Sequence, residues 1–480
     1  MSTPSTSEKM NVRDLSFVAL FSLIVGSMMG SGVFDVPQNV AHRAGVIPIS
    51  IGWIITAVGV LALSWAFGYI SNQRPDIQSG IYGYAKHGFG DYVGFNSAWG
   101  YALNALLANA SYLIYICATL GNFALFKFFG NGNTISSLVA ESVMIWGVFF
   151  LVRNGIKEAS IVNVILTIIK VLVLASIIIV FVLAFNWAKF KTNLHLEPHL
   201  GNWFDQVKST MLVTVWDFTG IEAACIFALR AKRMKDVIRA TMLAAVVVCL
   251  ITSLISVLPF GILSAQEIRE LPTPSTAGIL AQLYGENSGN LIRAAVVVSV
   301  LGALLAWTLL ASNMFYLASE DKTMPKSFMK LNANNVPINA LVISSIAAQV
   351  FIVVAFFTNA VYLAMIQLAT SLVLLPYLLS AMFALKLVIA EGKIDRLSFI
   401  KGVLAVLYGV WLVYSGGMMF LALSSLLYLV GAIFYFIARR EQSKSLFDNK
   451  FEVGLFIVLI VITVASFADW SQAFITGQIG

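Results

Sequence analysis

The chain has 480 residues, of which 59% are hydrophobic and 11% charged, and its mean hydropathy is +0.88. Soluble domains carry roughly a quarter charged residues, so a globular enzyme is excluded and a protein that crosses the bilayer many times is expected. The net charge of +7 reflects how cations are shared between the two membrane faces, and it does not signal nucleic acid.

A polar tail, residues 1–12, precedes a first apolar run without a small-residue cleavage site near its end, so this run is expected to stay as a helix. Spans of about 20 apolar residues are predicted near 15–41, 46–70, 92–126, 135–152, 159–185, 208–229, 238–264, 290–318, 338–357, 361–388, 398–415, 417–438 and 452–473. That makes twelve or thirteen spans, because only YSGG separates the eleventh from the twelfth. With the N-terminus inside, twenty-two of the thirty Lys and Arg fall on the cytoplasmic side and seven on the outer side. Lys170 lies within a span. This is the positive-inside pattern. The three cysteines, Cys117, Cys225 and Cys249, sit singly in apolar runs and show no metal or disulfide spacing.

Two spans are interrupted. The first contains GSMMGSGVFDVPQNV (26–40), with three glycines, an aspartate and a proline. Irregular backbone survives in a membrane only where protein buries it or it lines a cavity. An unwound turn at Gly30, Ser31 and Gly32 frees amides at a helix start, where partial positive charge suits a carboxylate. Five spans later, TVWDFTGIEAACIF (214–227) places Asp217, Gly220 and Glu222 in an apolar run. Intramembrane carboxylates must face a cavity or a partner. Two broken spans five places apart in the series are the mark of an inverted-repeat transporter with a midplane site. The fold expected is therefore all-α, with a five-plus-five core.

GSGVFDVPQNVA, QSGIYGYAKHGFG and WDFTGIEAA, with RNGIKEASIVNVILTIIK and LAWTLLASNMFYLASEDKTMPKSF, resemble the amino acid–polyamine–cation (APC) transporters. The chain is similar above all to the basic amino acid/polyamine antiporters and, among these, the arginine/ornithine antiporters. The arginine/agmatine antiporter is a more distant likeness. The resemblance covers residues from about 12 to 390 and implies a core over 13–388, with repeats near 13–185 and 208–388. Further helices would fill 398–480.

The same resemblance implies roles for individual residues. Met28, Ser31 and Gly32 would hold a substrate α-carboxylate. Trp216 and Trp307 would offer ring faces to a cationic arm. On the third span Tyr101, Ala105, Asn109 and Tyr112 recur at helical spacing beside Asn104. This stripe would meet the distal end of the substrate, and Thr219 would line the sixth-span break. Tyr101, Glu222 and Tyr377 match gate positions, Tyr377 that of an outer gate, and Glu222 suits sensing pH or passing a proton. Ala369 stands where the arginine/agmatine relative has a hydroxyl. Asp217 replaces a small serine of that relative, and a carboxylate there should attract a cationic group. Asp35 adds an acidic group near the first break. Lys170 would put an ammonium where some relatives bind sodium.

HLEPH (195–199) lacks the helix and the H-E-x-x-H order of a metal site, and GFGDYVG is no dinucleotide loop. No metal, cofactor, ATP motif or catalytic constellation is expected. The function expected is exchange of a cationic amino acid for a related product, most specifically arginine for ornithine. Lysine, histidine or polyamine exchange and proton-coupled uptake are the alternatives, and a membrane-embedded amino acid sensor belongs to a different class. The expected partners are cationic amino acids, the bilayer of a bacterial inner membrane and a second copy in a homodimer.

Overall fold

A computed structural model describes residues 16–77, 79–154, 159–195, 197–222, 225, 231–334, 336–357, 362–390 and 395–475. The first span is two helices, α1 (Phe17–Met28) and α2 (Gly32–Ala41), separated by a short irregular turn. Then come α3 (Val46–Gln73), α4 (Gly80–Phe89), α5 (Asp91–Gly121), α6 (Ile135–Arg153) and α7 (Ala159–Ala184). The short α8 (Trp187–Thr192) leads to α9 (Trp203–Trp216), the first part of the sixth span. After α10 (Met234–Val257) and the short α11 (Ala265–Arg269) lie α12 (Ser275–Tyr284), α13 (Glu286–Glu320), α14 (Ile338–Phe357) and α15 (Tyr362–Ala390). The chain closes with α16 (Arg396–Ser415), α17 (Gly417–Glu441) and α18 (Lys450–Ile475).

Among the described residues, eleven helical stretches are long and apolar enough to cross a bilayer, with α1 and α2 counted together. The two further expected spans are the sixth, whose expected end near 229 lies outside the described residues, and α18, which is 26 residues long. The eleventh and twelfth are separate helices, because Gly416 and Gly417 turn the chain and Gly417 takes φ +76, a conformation open mainly to glycine.

α5 is the axis of the bundle. It is buried along almost its whole length, as expected of a helix whose faces are nearly all apolar or small. At 1.5 Å per residue its 31 residues run about 46 Å, so its ends reach beyond the roughly 30 Å hydrocarbon layer. α13 and α15 flank it, while α10 packs on α3 and on both halves of the first span, α1 and α2.

The two halves repeat one unit that the hydropathy reading did not resolve. α4 and α12 are each ten residues long. Each is followed by one glycine at positive φ, Gly90 (+116) or Gly285 (+85), and then by a long helix that begins with an acid, Asp91 or Glu286. Gly94 and Gly289 let the long helix lie directly on the short one: a Cβ there would come within 2.9 Å of Lys86 Cα or 2.8 Å of Ala281 Cβ. At this same end of α5, polar groups tie the C-terminal helices to the core. Arg439, 1% exposed, donates to Asp91 at 2.9 Å and to Asp448. Glu452 on α18 accepts the Tyr92 amide at 2.9 Å and the Asp448 amide at 2.6 Å.

Candidate functional site

The break between α1 and α2 exists because Gly30 and Gly32 tolerate backbone and neighbours that other residues do not. The Gly30 amide donates to Met28 O at 3.1 Å and the Phe34 amide to Ser31 O at 3.2 Å. The amides of Ser31, Gly32 and Val33 precede that of Phe34, the first to bond a carbonyl at the start of α2, and form its positive end. A Cβ on Gly30 would meet the Tyr112 hydroxyl at 2.6 Å. One on Gly32 would meet Trp216 Cδ1 at 2.5 Å, Nε1 at 2.7 Å, and Asp217 Oδ1.

The second break meets the first backbone to backbone. α9 ends at Trp216, and the chain continues in turns through Glu222. Gly220 takes φ +107, and a Cβ on it would lie 2.7 Å from Ser27 O. Ser27 Oγ donates to Gly220 O at 2.9 Å. Residues 193 positions apart thus put a helix N-terminus, an indole and a carboxylate around Gly32.

Asp217 is 2% exposed, and its Oδ2 is buried without a hydrogen-bond partner. Asn104 and Asn109 each present a buried Oδ1 in the same condition. Their amide nitrogens are used: Asn109 Nδ2 donates to Thr308 Oγ1 at 3.0 Å, and Asn104 Nδ2 to Ala369 O at 2.8 Å. The main-chain carbonyl of Ala369 therefore supplies a tenth-span contact although its side chain has no hydroxyl. Trp216 lies 6.3 Å from Tyr112 and Trp307 6.0 Å from Tyr101, centroid to centroid. Ala105 is buried on α5 between Tyr101 and Asn109. Buried acceptors that lack donors are costly in a protein interior, so this row of oxygens suits a ligand that brings N–H groups.

Several side chains are already engaged. Lys170 Nζ donates to Met29 O, a carbonyl left over at the negative end of α1. Thr219 Oγ1 donates to Trp216 O at 2.5 Å, which commits its proton to holding the turn. Glu222 accepts the Gly220 amide at 3.0 Å and the Tyr377 hydroxyl at 2.6 Å. Asp35 does not point into the break: it accepts from Ser275 N at 2.6 Å and Thr273 Oγ1 at 3.2 Å, and so caps α12. Ser31 Oγ lies 2.6 Å from the Tyr362 hydroxyl, a contact absent from the sequence reading. Tyr362 and Tyr377 stand fifteen residues apart on α15, about 22 Å at helical rise, and bracket the break from opposite sides. In the loop between α8 and α9, Glu197 of HLEPH pairs with Arg269 at 2.8 Å.

Two broken helices facing each other in the bilayer, with an anion-attracting end and unpaired acceptors, define a membrane transporter for small polar molecules. The chain belongs to the amino acid permease family, whose model matches residues 15–464. It is a transporter and not an enzyme. It is 41% identical over 463 residues to the arginine/ornithine antiporter of Pseudomonas aeruginosa, covering 94% of this chain and 96% of that one. It is 36% identical to the L-lysine transport protein of Corynebacterium glutamicum, covering 94% of each. Against the arginine/agmatine antiporter of Chlamydia pneumoniae identity is 35%, over 95% of this chain and 97% of the relative.

Proposed function

We propose that this protein exchanges arginine for ornithine across a bacterial inner membrane, by alternating access around the paired breaks. The observation that carries the reading is the meeting at Gly32 of three elements. These are the positive end of α2, the Trp216 ring and an Asp217 carboxylate with one unpartnered oxygen. A zwitterionic α-amino group and its carboxylate are adjacent, so a ligand whose carboxylate sits on the α2 amides places its ammonium beside Asp217. Met28, Ser31 and Gly32 hold the carboxylate end. Asn109, Asn104, Ala105 and Trp307 face the distal arm, where the two unpaired amide oxygens accept guanidinium or ammonium protons. Thr219 stiffens the turn that carries Asp217. The relatives named for arginine, ornithine and lysine fit this arrangement.

The positive-inside count supports an N-terminus in the cytoplasm. α15, the tenth span, then runs inwards, so Tyr362 closes the outer side and Tyr377 with Glu222 the inner side. Tyr377 therefore moves from the outer gate, where resemblance put it, to the inner one. Glu222 is the group suited to pass a proton, and Tyr101 stands next to Trp307 on the same inward path. Lys170 supplies a fixed cation at the end of α1, in place of sodium. The core spans 13–388, with α16 to α18 as an added C-terminal unit, and the protein assembles as a homodimer. Competition of unlabelled arginine, ornithine, lysine, histidine, agmatine and putrescine against labelled arginine in proteoliposomes tests the substrate assignment. Arginine and ornithine should compete best. Lysine or a polyamine competing better would replace the proposed pair.

A further inference from the structure

The contact between Ser31 and Tyr362 joins two spans at the point where the α2 amides emerge. Their hydroxyl oxygens are 2.6 Å apart, Ser31 is fully buried and Tyr362 is 7% exposed. The Tyr362 ring rests on Tyr115, with centroids 4.7 Å apart. Among the described residues, each hydroxyl bonds only the other. Two hydroxyls supply two O–H donors and one mutual hydrogen bond uses one of them, so one buried donor is left over. The neighbouring carboxylate on α2 does not take it: among the described residues, the donors Asp35 accepts from are those of Thr273 and Ser275. A surplus O–H donor beside a helix N-terminus adds to an anion site.

We propose that Tyr362 is a direct ligand of the substrate α-carboxylate and the residue that makes this carrier select amino acids over their decarboxylated amines. The inference rests on the exchange reading above. When a carboxylate docks on the α2 amides and Ser31, the Tyr362 hydroxyl turns from the Ser31 oxygen onto the carboxylate. Its ring then covers the α-carbon from the outer side. An amine without a carboxylate leaves Ser31 and Tyr362 bonded to each other and gains nothing from either. The same helix break that accepts arginine or ornithine thus disfavours agmatine.

The test is the inhibition constant of arginine, ornithine and agmatine against labelled arginine exchange, using the full chain in proteoliposomes. Tyr362→Phe keeps the ring and removes the donor. It should raise the constants for arginine and ornithine about ten-fold or more, the loss of a hydrogen bond to a charged group. Agmatine should stay within about two-fold on the same reasoning. Tyr362→Leu, which removes the ring as well, should show the same preference for harming the amino acids. If arginine and agmatine weaken together in Tyr362→Phe, or arginine does not weaken, the carboxylate role is overturned while the exchange reading stands. A wild-type protein that does not take up arginine overturns both.

Discussion

Replacing Asp217 with asparagine isolates one charge at the centre of the site. The substitution keeps the size and one acceptor oxygen. Asp217 Oδ1 lies against Gly32, the first residue of α2, and Oδ2 has no partner. A charge that faces Gly32 meets the substrate at its α-carbon, not at the end of its side chain. Two unit charges 4 Å apart at an effective dielectric of 20 attract by about 4 kcal/mol, an upper bound because both must lose water. A single charge-assisted hydrogen bond contributes about 1.5–3 kcal/mol net, or roughly ten- to 150-fold in affinity. Calorimetry on purified Asp217→Asn should therefore show arginine, ornithine and citrulline all weakened by about that factor, because all three carry the α-ammonium. Deaminated arginine, 5-guanidinopentanoate, should bind the variant and the parent alike. If arginine weakens and citrulline does not, Asp217 reads the side chain and the placement of the α-carbon at Gly32 is refuted. If the deaminated compound weakens equally, Asp217 only supports the turn.

Trp216→Leu and Trp307→Leu should each weaken arginine by about 1–2 kcal/mol, the scale of a desolvated cation–π contact, in the same calorimetric assay; unchanged affinity in both would remove the aromatic faces from the site. Gly32→Ala should abolish binding in a protein that still purifies as a folded species, because the new Cβ drives into the Trp216 ring at 2.5 Å; wild-type affinity would show that Trp216 has room to move. Lys170→Met should lower the thermal unfolding temperature, since it leaves the Met29 carbonyl buried and unpaired at about 1–3 kcal/mol. In the parent protein, exchange should be the same in sodium and choline buffers, and a sodium requirement would reject Lys170 as the stand-in cation.

The breaks were legible because glycine and carboxylates are conspicuous in apolar runs, and span boundaries followed from hydropathy to within a few residues at most helices. The short α4 and α12 were not, since each holds only ten residues and neither is long enough to register as a span. A signal was present in GDYVG (90–94) and GENSG (285–289), which share a glycine, an acid and a second glycine at the same spacing. It marks the same hairpin in both halves. Asp35 looked like a site residue because an acid near a break is unusual, yet its partners, Thr273 and Ser275, lie about 240 residues away. Tyr362 was invisible for the same reason: an aromatic at the start of a span reads as an interface anchor, and its meaning comes from Ser31, 331 positions away. Local patterns show where backbone is irregular, whereas long-range packing decides which side chains remain unpaired there.

The central claim is obligatory exchange at the paired breaks, and trans-stimulation measures it most directly. Labelled arginine is offered to proteoliposomes that are preloaded with ornithine, preloaded with arginine, or loaded with buffer alone. The account predicts rapid uptake into both preloaded sets and almost none into buffer-loaded vesicles. Equal uptake into all three would contradict it and make the protein a uniporter or a proton-coupled symporter.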